Sequence, residues 1–134
     1  MKKAIFATVA VFFTWAVMDY VIHGLLLGSV YASTPQLWRP MAEFKFGLNW
    51  FVVLVAAACF VYVYVFLIAD RGLKTALTYG GVFGLGAGIS MGYGSYSVMP
   101  IPYVLAFSWF VGTLVEALAG GVVAWFVVTR GPQA

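Results

Sequence analysis

Two acidic residues, Asp19 and Glu116, interrupt stretches of sequence that are otherwise almost wholly apolar. An acidic side chain at the centre of a membrane helix costs about 2.5–3.5 kcal/mol on insertion scales, which makes such a residue a candidate functional group. The only histidine, His23, follows Asp19 by four residues, so both lie on one face of a helix. These three residues form a candidate intramembrane polar site, whose chemistry suits the binding of a proton or a cation.

Each of these residues also has a structural interpretation. Glu116 suits a hydrogen bond to a neighbouring helix, or a contact with a partner subunit, as well as it suits proton or cation transport. Asp19 and His23 suit a local pair at the end of their helix better than a metal or haem site, because the spacings HxxxH, ExxH and CxxC are absent. We therefore expect no metal and no cofactor.

The composition requires a solvent other than water. Of the 134 residues, 64% are hydrophobic and 8% are charged, and the mean hydropathy is +1.02, whereas a soluble domain is about 45–50% apolar and about 25% charged. A soluble protein of this size buries only about two thirds of its unfolded surface, which is too little to hide these side chains. The composition excludes a soluble enzyme and a nucleic-acid-binding protein, and it predicts a lipid bilayer as the surroundings of the chain.

Four stretches are long and apolar enough to cross a hydrocarbon core of roughly 30 Å, which takes about 20 residues. Their uninterrupted apolar character favours helices over the alternating strands of a membrane barrel. We predict an all-α integral membrane four-helix bundle that forms a single domain over residues 1–134. The predicted spans are residues 4–27 (span one), 48–69 (span two), 73–99 (span three) and 101–129 (span four), with an outer loop at residues 28–47.

Lysine and arginine are distributed unevenly between the two sides of this arrangement. With four spans, both termini and the loop between spans two and three share one side, which holds five of the seven basic residues. The positive-inside rule then predicts cytoplasmic termini in a multi-pass inner-membrane protein. Span one is expected to be retained, because its apolar run exceeds the roughly 7–15 residues of a signal peptide. The basic residues are Lys2, Lys3, Arg71, Lys74 and Arg130 on the cytoplasmic side, and Arg39 and Lys45 on the outer side.

Glycines spaced by four residues form a stripe on each of the last two spans. Small residues at this spacing let membrane helices pack closely. We predict that spans three and four pack through these stripes and enclose Glu116 near Ser90, Tyr93 or Tyr79. The glycine content also predicts an irregular backbone at residues 93–98. The stripes are Gly80, Gly84, Gly88 and Gly92 on span three, and Gly112 and Gly120 on either side of Glu116 on span four.

The outer loop combines aromatic and charged side chains, among them Trp38, Arg39 and Glu43. This mixture predicts a short helix at the membrane interface, with Trp38 in the headgroup layer. The alternative is a lid over an outward-facing cavity lined by Asp19, His23, Tyr20 and Tyr96.

The run His23-Gly24-Leu25-Leu26-Leu27-Gly28, followed by Tyr31 and by Trp38-Arg39-Pro40, leads to a glycine-rich third span and an acidic residue in the fourth. This order resembles small four-span bacterial membrane proteins that are classified as domains of unknown function. The resemblance covers most of the chain. It implies a four-span fold and implies no activity.

Motifs for nucleophilic catalysis, phosphate binding and dinucleotide binding are absent from the sequence. We therefore expect a non-catalytic subunit or accessory that forms a homo-oligomer or joins a larger membrane complex. The alternative is a small oligomeric transporter or channel that uses Glu116, with Asp19 and His23, to bind a proton or a cation. A haem- or quinone-binding subunit is the third possibility.

Overall fold

The computed structural model describes residues 1–130, and all regular structure in that range is helical. Three continuous helices are long and apolar enough to cross a membrane, namely Lys2–Leu26, Phe46–Leu67 and Tyr103–Arg130. The predicted all-α class is confirmed, and the three long apolar helices support a membrane protein. The α-helices are α1 (Lys2–Asp19), α2 (Gly28–Ala32), α3 (Phe46–Tyr62), α4 (Leu73–Ile89), α5 (Ser95–Val98) and α6 (Tyr103–Arg130).

Three of these helices change from α to π hydrogen bonding along their length. Segment Tyr20–Leu26 continues α1, Val63–Leu67 continues α3, and Ser90–Gly94 joins α4 to α5. π turns are rare, and they occur frequently at functional sites. The first of them begins directly after Asp19 and contains His23.

The segment at residues 93–98 is helical, so the irregular backbone predicted there is wrong. Tyr93 and Gly94 belong to the π turn, and the remaining residues form α5. Glycine weakens an isolated helix because it loses much conformational freedom on folding. Here the close contact with α6 compensates for that loss, since Gly92 is buried against the backbone of Ala106.

The long helices alternate in direction, and side by side they follow the order α3, α1, α6, α4, with the largest interface between α4 and α6. The bundle closes where the aromatic residues of α3 meet those of α4. There the Tyr79 hydroxyl donates a hydrogen bond of 2.9 Å to the carbonyl oxygen of Phe60. Phe60 is buried in the core of the half of the bundle whose end holds Lys2 and Arg130, which we call the terminal end, and Tyr79 packs against this core.

The glycine stripe of α4 lets the backbone of α6 approach closely. A Cβ atom on Gly80 would lie 2.5 Å from the carbonyl oxygen of Ala117, and one on Gly88 would lie 2.7 Å from that of Phe110. Real Cβ atoms do not approach other atoms so closely, so only glycine fits at these positions. α4 and α6 therefore pack through the glycines of α4.

Gly112 and Gly120 of α6 face α1, and not α4 as predicted, whereas Gly121 packs against Ala76 of α4. A Cβ atom on Gly120 would lie 2.8 Å from Nε1 of Trp15, and one on Gly112 would lie 3.3 Å from Cδ1 of Ile22. The residue that meets α4 is Ala117, which is turned by about 100° from its neighbour Glu116 on the helix. Glu116 consequently points toward α1.

The opposite end of the bundle, which we call the loop end, holds α2 and the turn at residues 99–102. Residues 35–43 form two 3₁₀ turns, Pro35–Leu37 and Met41–Glu43, where a single short helix was predicted. Leu27 and Leu105 are buried in a second core at this end, and Trp38 packs against it.

Candidate functional site

Asp19 and Glu116 meet across the interface between α1 and α6. Asp19 is the last residue of α1, and Glu116 lies at the middle of the antiparallel helix α6. Gly112 and Gly120 flank Glu116 and let α1 approach, as their contacts with Ile22 and Trp15 demonstrate. The two carboxyl groups lie within hydrogen-bonding range of each other.

The surroundings of Glu116 provide no other partner for one of its oxygens. Oε1 of Glu116 is buried, and no N–H or O–H group of residues 1–130 donates a hydrogen bond to it. The indole N–H of Trp15 donates a hydrogen bond of 2.7 Å to the backbone carbonyl oxygen of Glu116. This bond joins α1 to α6 and does not involve the Glu116 carboxyl group. Two ionised carboxylates in contact repel each other strongly, and such pairs share one proton. The arrangement suits a proton held between Asp19 and Glu116.

His23 lies on the other side of Asp19. Its Nε2 atom is 3.7 Å from Oδ1 of Asp19, and the two side chains are 42% and 35% exposed, respectively. This distance exceeds the hydrogen-bonding range, so the pair is an electrostatic contact. The half-exposed side chains connect the Asp19–Glu116 pair to the surface of the bundle.

The second ring nitrogen of His23 belongs to a hydrogen-bonded chain that the sequence analysis missed. Nδ1 of His23 lies 2.6 Å from the Tyr31 hydroxyl, and the indole N–H of Trp109 donates to the same hydroxyl at 2.7 Å. Tyr31 belongs to α2 and Trp109 to α6. The chain turns at Leu27, between His23 and Tyr31, and Trp109 lies on a different helix, so no regular spacing in the sequence predicts these contacts. Tyr31 occurs in the run of residues 23–38 that resembles other four-span proteins, but Trp109 does not.

The aromatic residues predicted around Glu116 have other partners. The Tyr93 hydroxyl lies 3.1 Å from that of Tyr103, and Tyr79 donates to α3. Both belong to α4 or to the π turn after it, whereas Glu116 faces α1. Ser90 likewise belongs to that π turn.

The outer-loop residues differ in their environment. Arg39 and Glu43 are exposed. The Trp38 ring contacts the Tyr31 ring edge-on at a centroid distance of 5.2 Å and the Trp109 ring at 6.0 Å. Trp38 thus packs over the Tyr31 side chain, while its indole N–H donates to Thr34 at 3.0 Å.

The site therefore combines a carboxyl pair, one imidazole and one phenol in a connected arrangement. Within residues 1–130, no three His, Cys, Asp or Glu side chains converge in a way that could hold a metal ion. Comparisons of the chain with protein-family models, with curated proteins and with solved structures gave no match. Function has to be inferred from the residues of the site.

Proposed function

We propose that the chain is a four-span protein of a bacterial inner membrane that binds and releases a proton at the Asp19–Glu116 pair. The observation that carries this proposal is the contact between two carboxyl groups inside long apolar helices. A proton shared by the pair removes the repulsion between them. Binding and release of that proton is the step on which proton transport, or transport coupled to protons, depends.

The four-span arrangement includes α4, which is less apolar than the three long helices. The helical run from Leu73 to Val98, at about 1.5 Å per residue, is long enough for a core of about 30 Å. Its glycines account for the lower hydropathy, and four of them face α6 and are therefore not exposed to lipid, namely Gly80, Gly84, Gly88 and Gly92. Lys74 and Arg71 near its start support a cytoplasmic position for the terminal end.

A purely structural role accounts less well for this geometry. A structural carboxyl group inside a bundle is normally satisfied by a fixed donor. Asp19 instead faces a second carboxyl group on one side and, at 3.7 Å, an imidazole on the other. One buried oxygen of Glu116 has no hydrogen-bond donor in the part of the chain that the structure describes. A pair arranged in this way favours a proton that can move.

The test is proton flux into proteoliposomes that contain a pH-sensitive dye, driven by a potassium diffusion potential. Wild-type protein should carry protons, and Glu116→Gln and Asp19→Asn should each lower the rate at least tenfold. The matched control is Glu43→Gln, which makes the same chemical change on the exposed loop and should retain the wild-type rate. Wild-type vesicles that leak no faster than empty ones would contradict the proposal, as would a fully active Glu116→Gln variant.

A second candidate function is that of a non-catalytic subunit of a larger membrane complex or homo-oligomer. The observation that favours it is the first half of α3, where residues 46–56 are exposed on nearly every face and Val53 is the one exception. A helix segment with so few contacts inside its own bundle suits a partner helix. Native mass spectrometry after gentle extraction tests this function. A stoichiometric partner would support it, and a chain that runs alone would contradict it.

A further inference from the structure

The hydrogen bonds around Tyr31 determine which nitrogen of His23 carries the proton. An indole N–H only donates, so the Tyr31 oxygen accepts from Trp109. The single hydroxyl proton of Tyr31 is then free to bond to Nδ1 of His23, 2.6 Å away. If Nδ1 carried the proton instead, the oxygen of the half-buried Tyr31 hydroxyl would accept two hydrogen bonds. The hydroxyl proton of Tyr31 would then have no acceptor among the hydrogen bonds of residues 1–130.

This network directs a donor toward the carboxyl pair. When Nδ1 of a neutral histidine accepts, its Nε2 carries the hydrogen. Nε2 of His23 is the atom that faces Oδ1 of Asp19. The chain of groups therefore runs from the Tyr31 hydroxyl through both nitrogens of the His23 ring to Asp19, and from Asp19 to Glu116.

We propose that Tyr31 and His23 form a proton path between the loop end of the bundle and the Asp19–Glu116 pair. The proposal rests on the proton-binding function proposed above and adds the side from which the proton arrives. Tyr31 lies at the loop end and is half-buried, and the His23 side chain is 42% exposed, so the path begins near the surface. The titratable groups along it are Tyr31 from α2, His23 from the π turn, Asp19 from α1 and Glu116 from α6.

The transfer conserves protons at each group. The Tyr31 oxygen takes a proton from a hydronium ion, which leaves as water, while its own hydroxyl proton moves to Nδ1 of His23. His23 releases its Nε2 proton to a carboxylate oxygen of Asp19, after a small movement of the two half-exposed side chains closes the 3.7 Å gap. One proton enters and one leaves the relay. Tyr31 and His23 both end neutral. His23 returns to its first tautomer when it loses the Nδ1 proton to solvent and takes up one proton from solvent at Nε2, which its 42% exposed side chain allows.

Trp109 and Trp38 act as positioning residues. Trp109 donates to the Tyr31 oxygen and so leaves the hydroxyl proton for His23. Trp38 packs edge-on against the rings of both Tyr31 and Trp109, which restricts the orientation of the phenol. The buried residues Leu27 and Leu105 anchor this aromatic group to the ends of two spans.

The experiment combines flux with a direct measurement of the histidine tautomer. His23 is the only histidine, so ¹⁵N-histidine labelling gives the ring nitrogens of this residue alone in an NMR spectrum. The wild-type protein should show hydrogen on Nε2, and Tyr31→Phe should weaken that preference because it removes the donor to Nδ1. In proteoliposomes, His23→Gln and Tyr31→Phe should each lower proton flux at least tenfold. Tyr20→Phe is the matched control, since this ring is 66% exposed on the same π turn, and it should leave the flux unchanged.

The results distinguish a failure of the proton path through Tyr31 and His23 from a failure of the proton site at Asp19 and Glu116. Flux that depends on Glu116 but is unaffected by both His23→Gln and Tyr31→Phe would overturn the path and leave the proton site intact. Hydrogen on Nδ1 in the wild-type spectrum would also overturn the path, whether or not any variant folds. A wild-type protein that carries no protons would overturn the proton site and the path together.

Discussion

Asp19 and Asp70 show how the same side chain serves different purposes in different surroundings. Asp19 faces a second carboxyl group between two long helices. Asp70 is exposed at the terminal end, where it accepts hydrogen bonds from the Thr75 hydroxyl and, at 2.9 Å, from the backbone N–H of Gly72. Gly72 immediately precedes α4 and Thr75 lies in its first turn, so these bonds hold Asp70 against the start of that helix.

The first prediction concerns Asp70. The hydrogen bond from Thr75, and next that from Gly72, lower the pKa of Asp70 below its ordinary value of 3.8. A lowered pKa in the folded state stabilises the fold at pH values above the unfolded pKa, and this contribution is lost as the pH falls through the folded pKa. Thr75→Val should therefore raise the pKa of Asp70 toward its ordinary value and weaken the stabilisation.

Carbon NMR titration of the Asp70 carboxyl group between pH 7 and pH 2 measures this change. Thr78→Val makes the same substitution one helical turn further along α4, at an exposed position, and should leave the pKa of Asp70 unaltered. If Thr75→Val and Thr78→Val both titrated like the wild type, the hydrogen bond from Thr75 would not be the cause.

At the scale of the helices, the glycines of α4 explain both its close packing and its low hydropathy. Its glycines reduce its apolar surface, which is why the helix is absent from the set that hydropathy identifies as spans. The same glycines bring it against α6 in the largest interface of the bundle. Such a helix can lie in a membrane because much of its surface contacts protein and does not need to be apolar.

The second prediction contrasts two glycines of α4. A Cβ atom on Gly80 would lie 2.5 Å from the Ala117 carbonyl oxygen, whereas one on Gly86 would meet nothing within 4 Å. Gly80→Ala should lower the free energy of unfolding by about 1–3 kcal/mol, because the two helices must separate. Gly86→Ala should leave the free energy of unfolding unchanged or raise it by up to about 1 kcal/mol, since alanine favours the helix. Unfolding in mixed detergent micelles, followed by circular dichroism, measures both, and equal effects would contradict the packing described here.

At the scale of the whole molecule, the alternating helices place residues 28–45 at one end and residues 68–72 at the other with the start of α1. The hydrogen bond of 3.1 Å from Lys3 to the Val128 carbonyl joins the start of the first helix to the end of the last. Most basic residues lie at this terminal end, so the proposed orientation puts it in the cytoplasm.

The third prediction tests this orientation by cysteine labelling. Cys59 is the only cysteine, so Cys59→Ala provides a background without thiols. In that background Glu43→Cys should react with an impermeant maleimide in intact spheroplasts, because it lies on the loop end. Lys74→Cys should react only after the membrane is permeabilised. The opposite pattern would reverse the proposed orientation. Labelling of both positions in intact spheroplasts would contradict the single span, α3, that the proposal places between them.

The sequence by itself determined the helical class and the candidate polar residues. A long apolar run in lipid must satisfy its backbone N–H and C=O groups within the segment, which favours a helix. The free-energy cost of an acidic side chain in lipid identifies Asp19 and Glu116 as candidate functional residues from the sequence alone. The sequence also identified the glycines of α4 as close-packing positions. All of these properties depend on residue type and on local spacing along one helix.

Only the tertiary structure decided which helices meet and which faces they present. A difference of one residue turns a helix face by about 100°, so spacing alone could not show that Glu116 points to α1 while Ala117 meets α4. The same is true of Tyr31 and Trp109, which reach His23 from two other helices. Contacts between residues far apart in sequence depend on how whole helices are rotated and ordered, and no local pattern in a single sequence specifies either.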